Sequence, residues 1–476
     1  MIFNIKKTDW LTLGFFLIFF LIGWFCFPFT GQISYYLLGV IVVAFILGLK
    51  WSKNLESAIA IFAASLFFER FPTIEVSGFS LKISFIFGTA LIFAWFINWF
   101  KNPDLRNNAF QPKIIYFSLF FFWIANLISL MVNPIEFRSI IVFLLITFCI
   151  VLFFVISTSK SSEEKLEYLS KLIIYGSLII CLFAFWQYFA DLASVSTKWT
   201  ILRDHYTKEI FGFPRVMGTF LEPLLFANFL ILPTFLLWSL WLKEKFNNAF
   251  FVIALSIFLI IVFITISRGA YLAFAAGLLF FAIFLKKDFF QIKKLLISLL
   301  VIIISCSVGW AMIRFGGGSF GAGKFVEQTS DLTKKPEDQG FSTQHRLMTF
   351  RIAKQAFSEN PLFGIGPGNY GKYYSDRIEP EILKNQSQTV ANEYIEILAE
   401  NGIFGLIPFA IFVFSLIYFG IKKIKEQNNF RFLAVGLLSI IIALLAQYNF
   451  FSSIYVIYIW FVFALLVLQI KQTANN

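Results

Sequence analysis

The sequence predicts an all-α fold: a polytopic membrane helix bundle of about 12–14 spans, with one large outside loop containing short helices. Three observations predict it. The first is composition: 59% of the residues are hydrophobic and 14% are charged, where a soluble domain has roughly 45–50% and about 25%. The second is the length of the apolar runs. They recur along most of the chain at about the 20 residues a bilayer-crossing helix needs, without the alternation of outer-membrane barrel strands. The third is the distribution of lysine. Basic residues fall in the gaps after alternate runs, the pattern that orients spans with their basic loops in the cytoplasm.

In chain order the spans are expected near 11–29, 33–49, 56–69, 83–100, 114–132, 138–157, 168–189, 218–242, 249–266, 270–286, 295–313, 403–420, 430–450 and 453–470. The third is short and reads equally as a re-entrant or partly buried segment. With the N-terminus inside, the inside gaps hold Lys6 and Lys7; Lys50 and Lys53; Lys101, Arg106 and Lys113; Lys160 and Lys165; Lys243 and Lys245; Lys286, Lys287, Lys293 and Lys294; Lys422, Lys423 and Lys425; and Lys471. A single missed span would move several of these clusters to the wrong side, so both termini are expected in the cytoplasm. The net charge of +12 then serves topology, and no nucleic-acid partner is expected. The first apolar run is followed at once by further spans, unlike a cleavable signal peptide.

Cys26, Cys149, Cys181 and Cys306 all fall in apolar runs and read as small buried side chains. The chain has two histidines, His205 and His345. Neither a metal site nor a cofactor is expected. The chain divides into spans over 1–189, further spans over 190–313, the large loop over 314–402 and the last spans over 403–476. Within the loop, Gly316–Gly323 reads as a flexible start. Leu347, Phe350, Ala353 and Phe357 recur at helical spacing, which predicts a helix from about Thr343 to Ser358. Asn360-Pro361 stops it, and Gly364, Gly366 and Gly368 around Pro367 predict a tight turn. Asn392 is a good helix cap, and Asn401-Gly402 a good stop before the next span.

Three charged residues stand at outside edges of spans, and a fourth lies in the large outside loop. Arg268, after Ser267, lies at the junction of two spans, where a snorkelling arginine is also tolerated. Arg215 precedes Gly218-Thr219-Phe220 and Glu222-Pro223, where a carboxylate near a helix start is favourable in itself. Arg346 lies on the predicted loop helix and alone would read as a solvated face. Together, three arginines at one membrane face match the charge and geometry of a lipid-linked pyrophosphate, because guanidinium binds phosphate bidentately and stays charged. Fixed cations there would neutralise a pyrophosphate leaving group without a metal.

These pieces, in this order, resemble the O-antigen ligase and O-antigen polymerase superfamily. The resemblance rests on Arg215-x-x-Gly218-Thr219-Phe220, on Ser267-Arg268-Gly269, on Arg346 with Phe350 and Ala353 followed by Pro361-x-x-Gly364-x-Gly366, and on Asn392-Glu393-Tyr394 leading to Glu400-Asn401-Gly402-Ile403. It covers roughly the second half of the chain. It implies a glycosyltransferase in the inner (plasma) membrane that takes a glycan from undecaprenyl pyrophosphate to a glycan acceptor, with membrane lipid around it. It implies substrate-binding roles for Arg215, Arg268, Arg346, Asn392 and Tyr394. The chain departs from the pattern at Phe350, where the family has Trp, and at Ala391, where the family often has His. Alanine cannot take a proton, so Glu222, Glu393 or His345 is expected to act as the catalytic base. The departure favours a polymerase of lipid-linked polysaccharide over a ligase that moves finished glycan to a lipid or protein. A transporter or flippase for a lipid-linked sugar is the reading from another class, though no paired repeat supports it.

Overall fold

The computed structural model describes residues 54–70, 73–76, 79–101, 110–160, 162–285, 291–330, 341–378, 388–426 and 431–472. The spans expected near 11–29 and 33–49 lie outside these. Each of the other expected spans is a helix. Among the described residues, six helices are long and apolar enough to cross a membrane: Lys113–Val132, Phe137–Ser157, Glu163–Leu192, Pro223–Leu242, Ile292–Gly317 and Glu393–Lys425. Six shorter apolar helices accompany them: Leu55–Ser65, Ile83–Trp99, Asn248–Ile264, Arg268–Phe284, Arg431–Gln447 and Ile457–Lys471. The protein is a polytopic helical membrane protein.

The middle of the bundle is set by two helices with no polar face. Pro223–Leu242 has 94% of its apolar window buried, and Ile457–Lys471 is buried from Ile457 through Gln469. Ile292–Gly317, with only 28% buried, lies at the periphery. Arg268–Phe284 packs on Arg431–Gln447, the Glu393 helix on Lys113–Val132, and Asn248–Ile264 on the Ile292 helix. Leu55–Ser65 is only 11 residues long, about 16 Å at 1.5 Å per residue, and so falls short of a hydrocarbon core of about 30 Å. The chain continues past it until the Arg70 N–H reaches the Thr219 carbonyl at 2.9 Å.

Charge separates the two ends of the bundle. At one end Lys243 pairs with Glu163 and Glu167, Lys245 pairs with Glu167 at 3.2 Å, and Lys165 pairs with Glu56. At the other end Gln187, near the close of the Glu163 helix, accepts from the Gly218 N–H, and Thr219 and Arg215, just ahead of the Pro223 helix, bond to the Phe67 and Thr265 carbonyls.

The structure departs from the sequence-based expectation in four places. Cys306, expected to be buried, is exposed on the peripheral Ile292 helix. Thr73–Val76 and Phe79–Lys82 form a two-stranded antiparallel ladder, a small addition to an otherwise helical fold; its β-branched Thr73, Ile74 and Val76 suit a strand. Gly316–Gly323 is not a flexible start, because the helix Ile292–Ser330 runs through it. A Cβ at Gly316 would lie 2.6 Å from the Tyr188 hydroxyl, and one at Gly317 would lie 2.7 Å from the Gly212 carbonyl oxygen. These glycines permit close packing rather than freedom. The loop helix forms at Phe341–Glu359, but its buried positions are Thr349, Ile352, Ala353 and Ala356, and Leu347 is exposed. The small alanines let the helix settle against Tyr370 and Tyr374 in a core of its own.

Candidate functional site

The site starts from a break between two helices. Asn248–Ile264 ends, and Arg268–Phe284 begins after three intervening residues. Ile266 at the corner has φ 48°, a left-handed conformation rare for a β-branched side chain. Arg215 spans the break: its Nε donates to the Thr265 carbonyl at 2.7 Å and its Nη2 to the Ile266 carbonyl at 3.3 Å. Its guanidinium lies 5.4 Å from the centroid of Tyr206 and 5.2 Å from that of Phe211. A short loop whose ends close on each other holds it there, with the Arg215 N–H bonded to the Tyr206 carbonyl at 2.9 Å.

The Gly218-Thr219 part of the same motif is held by a buried amide. Gln187 accepts from the Met217 and Gly218 N–H groups at 3.2 and 2.8 Å, and donates to the Thr200 and Gly218 carbonyls at 2.9 Å each. Thr219 Oγ1 donates to the Phe67 carbonyl. The motif therefore builds a rigid platform, and only its arginine presents charge.

Arg268 opens the next helix, half-buried. A Cβ at neighbouring Gly269 would lie 2.9 Å from the Cβ of Phe450, so the helix start rests against the 448–454 segment. Arg268 acts electrostatically on two other arginines. Burial lowers the affinity of Arg215 for its proton, and the charge of Arg268 adds to that while Tyr206, Tyr271 and Glu222 oppose it. Burial lowers Arg346 also, and Arg268 again adds to it. Guanidinium remains charged through such shifts. Arg268 thus acts on both Arg215 and Arg346, which come from two other segments, and Glu222 acts on Arg215. Glu222 occupies the cap position of Pro223–Leu242, where its side chain makes no capping bond.

Arg346 is positioned through the glycine turn. Gly364, Gly366 and Gly368 have φ of 67°, 99° and 73°, as the turn requires. The turn is woven into the Glu393 helix where that helix kinks. The Ile365 and Gly366 N–H groups donate to the Ala399 and Glu400 carbonyls at 3.0 and 2.9 Å, while the Ile403 and Phe404 N–H groups donate to the Pro361 and Leu362 carbonyls at 3.0 and 3.2 Å. The loop thus satisfies both helix ends at Gly402. The Glu400 carboxylate accepts from the Gly368 and Tyr370 N–H groups at 2.8 and 3.1 Å. Tyr370 Oη then donates to the Thr349 carbonyl at 2.7 Å, one turn along from Arg346.

The other expected site residues have distinct places. His345 adjoins Arg346, and its Nε2 lies 3.1 Å from Tyr374 Oη; burial and then the charge of Arg346 lower it from the usual imidazole range. The Glu393 carboxylate is buried and accepts from the Ser453 and Ile454 N–H groups. Asn392 Oδ1 caps the helix by accepting from the Ile395 N–H at 3.0 Å, and Tyr394 Oη donates to the Leu445 carbonyl at 2.8 Å. The bonds of Glu393 and Tyr394 go to the 445–454 segment, which is the segment under Arg268. Sequence alone assigned no role to Gln187 or Tyr206, and showed His205 only as one of two histidines and Glu400 only as part of a motif. A polar amide inside an apolar span was a visible signal for Gln187. Carboxylates at Glu393, Glu396 and Glu400, spaced along one helix face, were a signal for Glu400.

Residues 251–410 match the family model described as O-antigen ligase. That match runs from the helix before Arg268 through the loop helix and the glycine turn to the kinked Glu393 helix. The likeness to the O-antigen ligase and polymerase superfamily is shown over that segment; Arg215 and Glu222 lie ahead of it. No curated protein matches the chain. The family's members are glycosyltransferase-like ligases and polymerases, and the apolar helices make this chain a multi-pass membrane protein.

Proposed function

We propose that the protein is a polymerase of lipid-linked surface polysaccharide. It transfers glycan from undecaprenyl pyrophosphate to the hydroxyl of a sugar acceptor, using fixed cations and no metal. The observation that carries this reading is that Arg215 bonds the Thr265 and Ile266 carbonyls just before Arg268, and that Arg268 acts on both Arg215 and Arg346. Like charges held together in a half-buried place repel, and a pyrophosphate is the polyanion that would relieve them. As the bond from the anomeric carbon to pyrophosphate breaks, the negative charge grows where the arginines already are. The lipid tail would lie among the apolar helices, and the glycan would project on the loop side. Proton removal from the acceptor needs a base within reach. Among the sequence candidates, Glu222 acts on the charge of Arg215, His345 adjoins Arg346, and Glu393 braces the 453–454 backbone. The ligase reading is favoured by the description of the matching family; the polymerase reading is favoured by Ala391, where the family's histidine is missing.

Reconstitution with undecaprenyl-pyrophosphate oligosaccharide tests this. Chain lengthening with no other acceptor is the expected result. Transfer only after a separate acceptor is added would select the ligase instead, and translocation with no new glycosidic bond would select a transporter. Arg215→Ala and Arg268→Ala should each weaken binding of undecaprenyl pyrophosphate by about tenfold or more, as loss of a charge-assisted bond worth about 1.5–3 kcal/mol implies. Unchanged binding in both variants would sink the donor-site assignment.

A further inference from the structure

We infer that His205, on the 204–211 segment and outside the matched family region, is the group that takes the proton from the acceptor hydroxyl. This rests on the donor-site reading above. Three observations lead to it. The His205 ring leans on the ring of Tyr206, with centroids 4.1 Å apart, and the other partner of Tyr206 is the Arg215 guanidinium at 5.4 Å. An imidazole therefore stands one aromatic ring away from an arginine of the proposed donor site. Second, His205 is exposed while Tyr206 and Arg215 are half-buried, so the imidazole is the part of this stack that an incoming acceptor meets first. Third, the segment is fixed rather than loose. The Tyr206 and Thr207 N–H groups bond to the Arg203 and Asp204 carbonyls at 2.8 and 3.0 Å, Arg215 N–H bonds back to Tyr206, and Lys208 N–H is held by the Asp191 carboxylate at 2.6 Å.

The charged groups that act on His205 are Arg203 and Asp204 beside it, and Glu222 and Arg215 across from it. Burial, then Arg203, lowers its proton affinity below the usual imidazole range, and Arg215 adds to this while Glu222 and Asp204 oppose it. At neutral pH the ring is neutral and can accept a proton. His345, by contrast, is half-buried and already engages Tyr374 through Nε2.

The step balances as follows. The acceptor oxygen attacks the anomeric carbon of the donor sugar as its proton passes to a ring nitrogen of His205. The bond from the anomeric carbon to the pyrophosphate oxygen breaks, and its electron pair leaves on that oxygen, against the arginines. Glu222 stabilises the imidazolium, which then gives its proton to water.

The test uses the full-length protein in lipid vesicles, with lipid-linked glycan extracted from the cells that make it as substrate and sugar-free undecaprenyl pyrophosphate as binding probe. For His205→Gln the expected result is a loss in kcat of about 100-fold or more, with affinity for undecaprenyl pyrophosphate changed less than about twofold. In the wild type the rate should fall as pH drops below the usual imidazole range, and that acid limb should vanish from the residual rate of His205→Gln and persist in His345→Gln. A His205→Gln protein that keeps its rate and its acid limb overturns the assignment. Loss of probe binding together with the rate also overturns it, because it makes His205 a structural residue. Failure of the donor-site reading has a different signature, namely undiminished probe binding in Arg215→Ala and Arg268→Ala.

Discussion

Gln187 shows how a buried amide bonded only to backbone can bear on the arginine site. Its amide makes four bonds to backbone groups of residues 200, 217 and 218, and those residues are buried in the bundle. Each buried backbone group left unmatched costs about 1–3 kcal/mol. Gln187→Leu, which keeps the volume and removes the bonds, should destabilise the protein by on the order of 4 kcal/mol. It should weaken undecaprenyl pyrophosphate binding as much as Arg215→Ala does. Thermal unfolding and probe binding on one preparation check both halves; normal binding would separate the platform from the arginine. At this scale the sequence displayed the charges but not their partners. Arg215, Arg268 and Arg346 were legible because charge at a membrane edge is conspicuous. The Thr265 and Ile266 carbonyls that hold Arg215 were not legible, since a backbone conformation such as that of Ile266 leaves no mark in residue type. Glu393 looked like a base and Tyr394 like a substrate contact, yet their bonds go to the 445–454 segment, a relation of two distant stretches that spacing does not reveal.

The kinked Glu393–Glu426 helix and the glycine turn act as one element. Gly402 has φ 62° and ψ −162°, a region only glycine enters freely. A Cβ there would lie 2.2 Å from the Leu362 carbonyl oxygen, and one at Gly364 would lie 2.3 Å from the Glu400 carbonyl carbon. Gly402→Ala should therefore cost about 3 kcal/mol or more, from backbone strain and overpacking together, and should release the turn that positions Arg346. Gly323→Ala is the contrast. Nothing lies within 4 Å of a Cβ there, and the residue is inside the helix Ile292–Ser330, so alanine should stabilise by about 0.8–1 kcal/mol through helix propensity. Equal neutrality of the two variants in thermal unfolding would contradict this account of the turn, and a destabilising Gly323→Ala would contradict the extended helix. The helices themselves were legible because apolar length is a strong signal. The run Gly316–Gly323 misled because glycine marks both freedom and close approach, and only the neighbours Tyr188 and Gly212 decide between them. The register of the loop helix slipped because Leu347 is apolar but faces outward, while the small Ala353 and Ala356 carry the contact.

For the whole molecule, the charge pattern and the packing bear on the same question of orientation. The lysines that sequence assigns to the cytoplasm meet carboxylates at one end of the bundle: Lys243 with Glu163 and Glu167, and Lys165 with Glu56. The arginines that sequence assigns to the outside gather at the opposite end of the same helices. The two long helices Glu163–Leu192 and Pro223–Leu242 run between these ends, from Glu163 to Gln187 and from Lys243 back to Glu222. A donor whose phosphates sit at the arginine end must present its glycan on the side of the large loop, so the reaction is confined to one face and orientation becomes a functional property. In a background with the native cysteines replaced, Lys354→Cys on the exposed face of the loop helix should react with a membrane-impermeant maleimide in intact spheroplasts. Lys245→Cys, at the lysine end and 42% exposed, should react only after lysis. The reverse pattern would invert the protein and place the arginines in the cytoplasm, where a lipid-linked glycan awaiting export, rather than one already outside, would be the donor to test.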